Sequence, residues 1–190
     1  KLRSLEELQQ LVAELKSEGK KVVQSHGVFD LLHIGHIRHL EEAKSLGDIL
    51  IATVTPDEFV HKGPNRPAFQ TALRLEALAA LGVVDFVAAN TWASAVETIK
   101  LIQPDIYCKG PDYKQHDEDL TGKISEEESA VVSVGGTIHY TGGITFSSSN
   151  LLNEYGNVFS ENQRDFLSRT ASKSSPIQTL EAVNNLSGLR

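Results

Sequence analysis

Apolar positions along the chain follow two rhythms that alternate. Leu5, Leu8, Leu11, Val12 and Leu15 recur at helical spacing, and Gly19 supplies a stop. Ser4 with Glu7 three residues on reads as a capping box for that helix. Short β-rich runs then alternate with helical patterns. Val22-Val23-Gln24-Ser25 is strand-like, and residues 35–46 carry Leu40, Ala43 and Leu46 before the stop at Gly47. Ile49 to Val54 is a nearly continuous apolar run, the pattern of a strand buried on both faces of a parallel sheet. An Ala/Leu-rich helix over 70–81, a strand at Phe86-Val87-Ala88 and a helix near 93–102 follow. Pro104 precedes a strand at Ile106-Tyr107-Cys108, residues 125–133 are helical, and Thr137 to Tyr140 is extended. This alternation predicts an α/β fold, a Rossmann-like doubly wound parallel sheet of about five strands.

The pattern changes near Asn153. The spacing predicts a main domain over 1–153 and a helical appendage or linker over 154–190, with a helix start at Ser160-Glu161-Asn162-Gln163 and another helix over 176–186. Phe159, Phe166, Leu167, Ile177, Leu180, Val183 and Leu186 are expected to bury against the main domain or a second subunit, and a homodimer is the expected assembly. The absence of methionine, even at position 1, and the abrupt end at Leu189-Arg190 suggest a piece of a longer polypeptide.

Composition narrows the function classes. The chain has 190 residues, 40% hydrophobic and 23% charged, with a net charge of −7. That balance argues against broad adhesion to nucleic acid or anionic membrane. The single cysteine, Cys108, excludes an internal disulfide and a multi-cysteine zinc site. No apolar run approaches the roughly 20 residues that cross a bilayer, and no signal-peptide pattern opens the chain. A cytoplasmic chain is the default.

The chemistry concentrates in His26-Gly27-Val28-Phe29-Asp30-Leu31-Leu32-His33-Ile34-Gly35-His36, between the first strand of the alternation and the helix after it. Open α/β sheets bind ligands at such crevices, and helix N-termini favour phosphates. Gly27 and Gly35 would let the backbone approach a nucleotide closely. His33 and His36, three residues apart, can face one phosphate with N–H donors, and with positive charge when protonated. A lone histidine here would more often be a satisfied polar residue; two flanking a glycine at such a turn favour phosphate chemistry. Zinc is disfavoured, since no cysteine lies nearby. His39 and His26 are expected to be surface or supporting residues. Read alone, Lys44 and Arg74 are equally well charges on the wet face of a helix, and Ser147-Ser148-Ser149 an N-cap.

Gly27-Val28-Phe29-Asp30 followed by His33-Ile34-Gly35-His36 resembles the signature of the cytidylyltransferase-like nucleotidyltransferases. The likeness is nearest to the nucleotidyltransferase domain of ADP-heptose synthase and to glycerol-3-phosphate cytidylyltransferase, and covers roughly residues 20–153. It implies transfer of a nucleoside monophosphate from ATP or CTP to a sugar or polyol phosphate, with Mg²⁺ and release of pyrophosphate. Residue by residue, it implies catalytic roles for His33, His36 and Lys44. It implies a nucleotide site from Gly27, Val28, Phe29, Asp30, Gly35 and Arg74, from Lys109, Gly110 and Asp112 of the KGPDY stretch, and from Ser147, Ser148 and Ser149. Asp30 would help hold Mg²⁺ on the triphosphate. His139-Tyr140-Thr141-Gly142-Gly143 lacks the arginine that glycerol-phosphate enzymes place before the Ser/Thr motif. That departure and KGPDY tilt the reading to the sugar-phosphate branch, where a fused kinase-like domain is expected.

A phosphate monoester acceptor has a second pKa of about 6 and needs no general base. In-line attack on the α-phosphorus would then rest on His33 and His36 as donors, with Lys44 and Arg74 offsetting charge. Two other classes compete. A dinucleotide redox module is disfavoured because no GxGxxG follows the first strand of the alternation. A non-catalytic nucleotide-binding regulatory domain on the same fold has little need of the histidine pair.

Overall fold

β-branched and other apolar residues at Val22–Gly27 (β1), Ile49–Val54 (β2), Phe86–Ala89 (β3), Ile106–Lys109 (β4) and Thr137–Tyr140 (β5) pair into one sheet of order β3-β2-β1-β4-β5. Every pairing is parallel, with Val22 opposite Ile49 and Gln24 opposite Tyr107. The computed structural model describes residues 1–62, 66–110, 123–142 and 161–171.

Helix Leu5–Ser17 (α1) precedes β1, and helices Ile34–Ser45 (α2), Thr71–Ala80 (α3), Val96–Ile102 (α4) and Lys123–Ser133 (α5) connect successive strands. The period-2 alternation of each strand divides the core between two faces. Val23, Leu50, Ala52, Val54, Val87 and Cys108 pack with Leu40 and Ala43 of α2 and Leu75 and Leu78 of α3. Val22, Ile51 and Ala88 pack with Leu5, Leu8 and Val12 of α1 and Ile102 of α4, while Tyr107 meets Ile99, Ala130 and Val131. Because β2 is covered on both sides, its apolar run is continuous. The α1 capping box forms as read, with the Glu7 amide donating to Ser4 Oγ and the Ser4 amide to the Glu7 carboxylate.

The strand order reverses between β1 and β4, the switch point beyond whose carboxyl ends ligands bind in sheets of this kind. His26-Gly27 and Lys109-Gly110 flank that crevice.

The chain divides into two compact units, Lys1–Asn150 and Leu151–Arg190. In the second, helix α6 spans Glu161–Ala171 and carries an Arg169–Asp165 pair one turn apart. Phe166 is 66% exposed on this polar helix. Phe159, Ile177, Leu180, Val183 and Leu186 lie outside the described residues. Among the described residues, no helix is long and apolar enough to cross a membrane.

Candidate functional site

β1 delivers the chain into the crevice through an unusual turn. Phe29 holds φ at 49°, a left-handed conformation that bulky side chains rarely adopt. Its ring folds back over Gly27, where a Cβ would meet Phe29 Cε2 at 3.2 Å. The close approach that Gly27 permits is therefore that of the Phe29 ring.

His33 caps α2, its Nδ1 accepting the Gly35 amide at 3.1 Å. That bond leaves the proton of the neutral ring on Nε2. The His36 ring stacks on His33 with centroids 3.9 Å apart, and the Phe29 ring meets it edge-on at 5.4 Å and 63°. Among the described residues, His36 Nδ1 is buried with no hydrogen-bond partner. Burial, with positive charge at His33, His39 and Lys62, pushes His36 down to about 4, and burial also lowers His33. At neutral pH the resting pair offers N–H donors rather than charge. Protonated, His36 Nδ1 would be a donor with no partner among the described residues, which a phosphate oxygen would satisfy.

His39 is an internal strut. Ser25 Oγ donates to its Nε2 at 2.7 Å, and its Nδ1 donates to Thr141 Oγ1 at 2.9 Å, whose hydroxyl passes on to the Lys109 carbonyl at 3.2 Å. Burial pushes His39 down to about 4 as well. His26 bridges Thr53 and Thr55 of the neighbouring chain segment at 3.0 and 3.1 Å. Neither histidine is a surface residue. Glu42 of α2 accepts the Gly142 amide and pairs with His139 at 3.1 Å, anchoring the chain as it leaves β5.

Three expectations need correction. Lys44 is not brought to the histidines. Its Nζ pairs with Asp85 at 2.6 Å and donates to the Asp48 carbonyl, where β2 and β3 begin. α2 runs back along the sheet from His33, so ten residues of helix separate Lys44 from its start by about 15 Å. Arg74 is 1% exposed and donates to the carbonyls of Val28, Thr55 and Phe69, so its guanidinium is committed inside the protein. Asp30 is likewise occupied: Oδ2 pairs with Arg66 at 2.7 Å and Oδ1 accepts the Phe69 amide at 3.0 Å. Burial works to raise the Asp30 carboxyl, but the amides of Phe69 and Ala68 and the Arg66 guanidinium hold it below its ordinary range. It does not fit a Mg²⁺ ligand. Among the described residues, no group of three or more His, Cys, Asp or Glu could hold a metal.

Lys109 stands at the carboxyl end of β4 with its ammonium against Glu127 at 2.7 Å, both side chains nearly inaccessible. A Cβ on Gly110 would meet no atom within 4 Å. Asp112 and Ser147, Ser148 and Ser149 lie outside the described residues. Cys108 is buried, and burial followed by Glu42 pushes its thiol up to about 12, which makes it inert. The cation that sequence reasoning missed is Lys62, an exposed side chain whose charge acts on His36. Its signal was available: it follows β2 and so lies beyond the carboxyl ends of the strands, where Lys44 does not.

Comparison with known proteins adds the family. The family model described as cytidylyltransferase-like matches residues 25–176. The bifunctional protein HldE of Desulfatibacillum aliphaticivorans is 40% identical over 129 residues, 67% of this chain and 26% of that protein. The chain thus spans about a quarter of the length of the curated relatives it matches. Among solved structures, the lipopolysaccharide core biosynthesis protein of Thermoplasma volcanium GSS1 is 32% identical, with 64% of this chain and 94% of that chain covered and a TM-score of 0.53. Pantoate-beta-alanine ligase of Francisella tularensis, 13% identical with a TM-score of 0.58 over 88% of this chain and 76% of its own, shares the fold alone. With the histidine signature at its switch point, the family model over residues 25–176 and a solved relative covered almost end to end, the chain belongs to the cytidylyltransferase-like family of nucleotidyltransferases.

Proposed function

We propose that this chain transfers a nucleoside monophosphate from ATP or CTP, with ATP ahead, to a sugar phosphate or polyol phosphate and releases pyrophosphate. The relatives named for the bifunctional HldE protein and for lipopolysaccharide core biosynthesis favour a sugar-phosphate acceptor and a place in carbohydrate assembly. The observation that carries the reading is the stacked His33–His36 pair at the start of α2, with a buried imidazole nitrogen left open.

An acceptor phosphate oxygen attacks the α-phosphorus, the bond from that phosphorus to the bridging oxygen breaks, and pyrophosphate leaves in line. The acceptor is already dianionic, so no residue need remove a proton. His33 Nε2–H donates to a phosphate oxygen as negative charge shifts. His36 takes up a proton when the polyanion arrives and donates beside it. Lys62 replaces Lys44 as the cation that offsets the triphosphate. Mg²⁺ enters as part of the substrate, carried by the phosphates rather than by a carboxylate cage. We place the reaction in the cytoplasm, and a homodimer is the expected assembly.

A matrix of the four NTPs against several sugar and polyol phosphates, reading pyrophosphate, tests this. Release with ATP or CTP and a sugar phosphate is expected. Release with GTP or UTP alone would remove the branch assignment, and none with any pair would leave a nucleotide-binding module.

A further inference from the structure

Among the described residues, Arg74 is the largest fully buried side chain, and its guanidinium binds three chain segments at once, around Val28, Thr55–Asp57 and Phe69. Nη1 donates to the Val28 carbonyl at 2.5 Å, Nε to the Phe69 carbonyl at 2.9 Å, and Nη2 to the Thr55 carbonyl at 2.8 Å and Asp57 Oδ1 at 2.6 Å. The Val28 carbonyl belongs to the peptide group that leads directly into Phe29. Phe29 is the residue at φ 49°, and a non-glycine residue persists there only when its surroundings over-determine it. Its ring in turn lies edge-on against His36. Among the described residues, the Arg74 side chain holds the Val28 carbonyl.

Resting on the nucleotidyltransferase reading, we propose that Arg74 is a positioning residue for His36, acting through the Val28 carbonyl and the left-handed Phe29, and not a ligand of the nucleotide. The chain of contacts is short: a planar fork fixes one carbonyl, the carbonyl fixes one backbone conformation, and that conformation seats one ring on the imidazole. A fork is needed because the three carbonyls lie in different directions, which a lysine ammonium on a flexible stem would not hold together. Covering His36 with an aromatic edge contributes to its burial, alongside the positive charge at His33, His39 and Lys62. The open Nδ1 is thereby held at one place in the crevice, within the tolerance that preorganised donors require.

Two variants and two readouts test this. In Arg74→Lys, kcat should fall on the order of 10²-fold, as for a misplaced group, while KM for the nucleotide changes by less than about threefold. The proton NMR titration of His36, followed without substrate, should move up by about a unit as the ring loses its cover. Phe29→Leu keeps the apolar volume and the Arg74 fork, and should reproduce the upward titration and the loss in kcat. The double variant should be little worse than either single one. A tenfold rise in KM for Arg74→Lys with kcat and the His36 titration unchanged would make Arg74 a nucleotide contact and overturn the proposal. Should Arg74→Lys not fold, an unchanged His36 titration in Phe29→Leu would overturn it equally. The wild-type protein separates the two readings: if it releases no pyrophosphate with any substrate pair, the function fails, while the titration arms still decide the role of Arg74.

Discussion

His33 and His36 lie ring on ring, 3.9 Å between centroids and 25° between planes, and only His33 also holds the helix. The two therefore separate by substitution. His36→Ala should lower kcat on the order of 10²–10³-fold, the cost of one preorganised donor. His33→Ala should do the same and also lose about 1 kcal/mol of stability with its cap. His33→Asn, which keeps a capping oxygen, should recover the stability without the rate. Kinetics paired with urea titrations checks this, and wild-type turnover in either Ala variant would remove that histidine from the chemistry.

Two buried histidines give the protein an acid flank. His36 and His39 are each pushed down to about 4 from an ordinary value of 6.5. The unfolded chain therefore binds protons that the folded one refuses between those values. Their contribution is fully present above about pH 6.5 and is lost as pH falls toward 4, on the order of 1–3 kcal/mol for each. Unfolding midpoints between pH 4 and 7 for wild type and His39→Gln should show a shallower slope in the variant. Equal slopes would mean that His39 takes up its proton without unfolding the chain.

Lys44 and Lys62 should behave oppositely. Lys44→Ala removes a partly exposed pair with Asp85 and should cost no more than about 1 kcal/mol, with kcat and KM unchanged. Lys62→Ala should lower kcat/KM roughly ten- to a hundredfold, the range for losing one charge-assisted contact. Steady-state kinetics on both variants decides. A large loss in kcat/KM for Lys44→Ala would restore it to the site.

Where one physical rule dominated, the residues were legible in advance. Ile49–Val54 was read at its observed bounds because both faces of β2 are covered, and the Ser4–Glu7 box because capping is local. The His33–His36 constellation was legible because a strand-to-helix turn fixes where it points. The role that the family resemblance implies for Lys44 is not met here, because Lys44 lies at the far end of α2, paired with Asp85 where β2 and β3 begin. Arg74 was misread for a different reason. An arginine in an Ala/Leu helix reads as solvated, and its burial depends on three carbonyls from distant segments. Asp30 stood in the right motif, yet Arg66 and the Phe69 amide, far along the chain, already take both its oxygens.

The last prediction concerns Lys109, read from sequence as a nucleotide ligand and found against Glu127 at 2.7 Å, with side-chain exposures of 7% and 4%. Glu127 also accepts the Tyr107 hydroxyl at 3.0 Å and the Ala95 amide at 3.3 Å, so one carboxylate ties β4 to the chain entering α4. Burial works to raise the Glu127 carboxyl, but Lys109, His26 and the Tyr107 hydroxyl hold it below its ordinary range. It therefore stays charged at neutral pH, and the stability it contributes is lost only as pH falls through its lowered value. Removing one partner of such a pair strands a buried charge, which typically costs about 3–5 kcal/mol. Glu127→Ala should lose that much, whereas Lys109→Met with Glu127→Leu, which removes both charges and keeps the volume, should lose far less. Urea midpoints at constant m-value distinguish the cases. If the double variant were as unstable as Glu127→Ala, the pair would matter through the Tyr107 and Ala95 hydrogen bonds rather than through its charge. If Glu127→Ala cost less than about 1 kcal/mol, the Lys109 ammonium would not depend on Glu127, and its availability to a nucleotide at Gly110 would be restored.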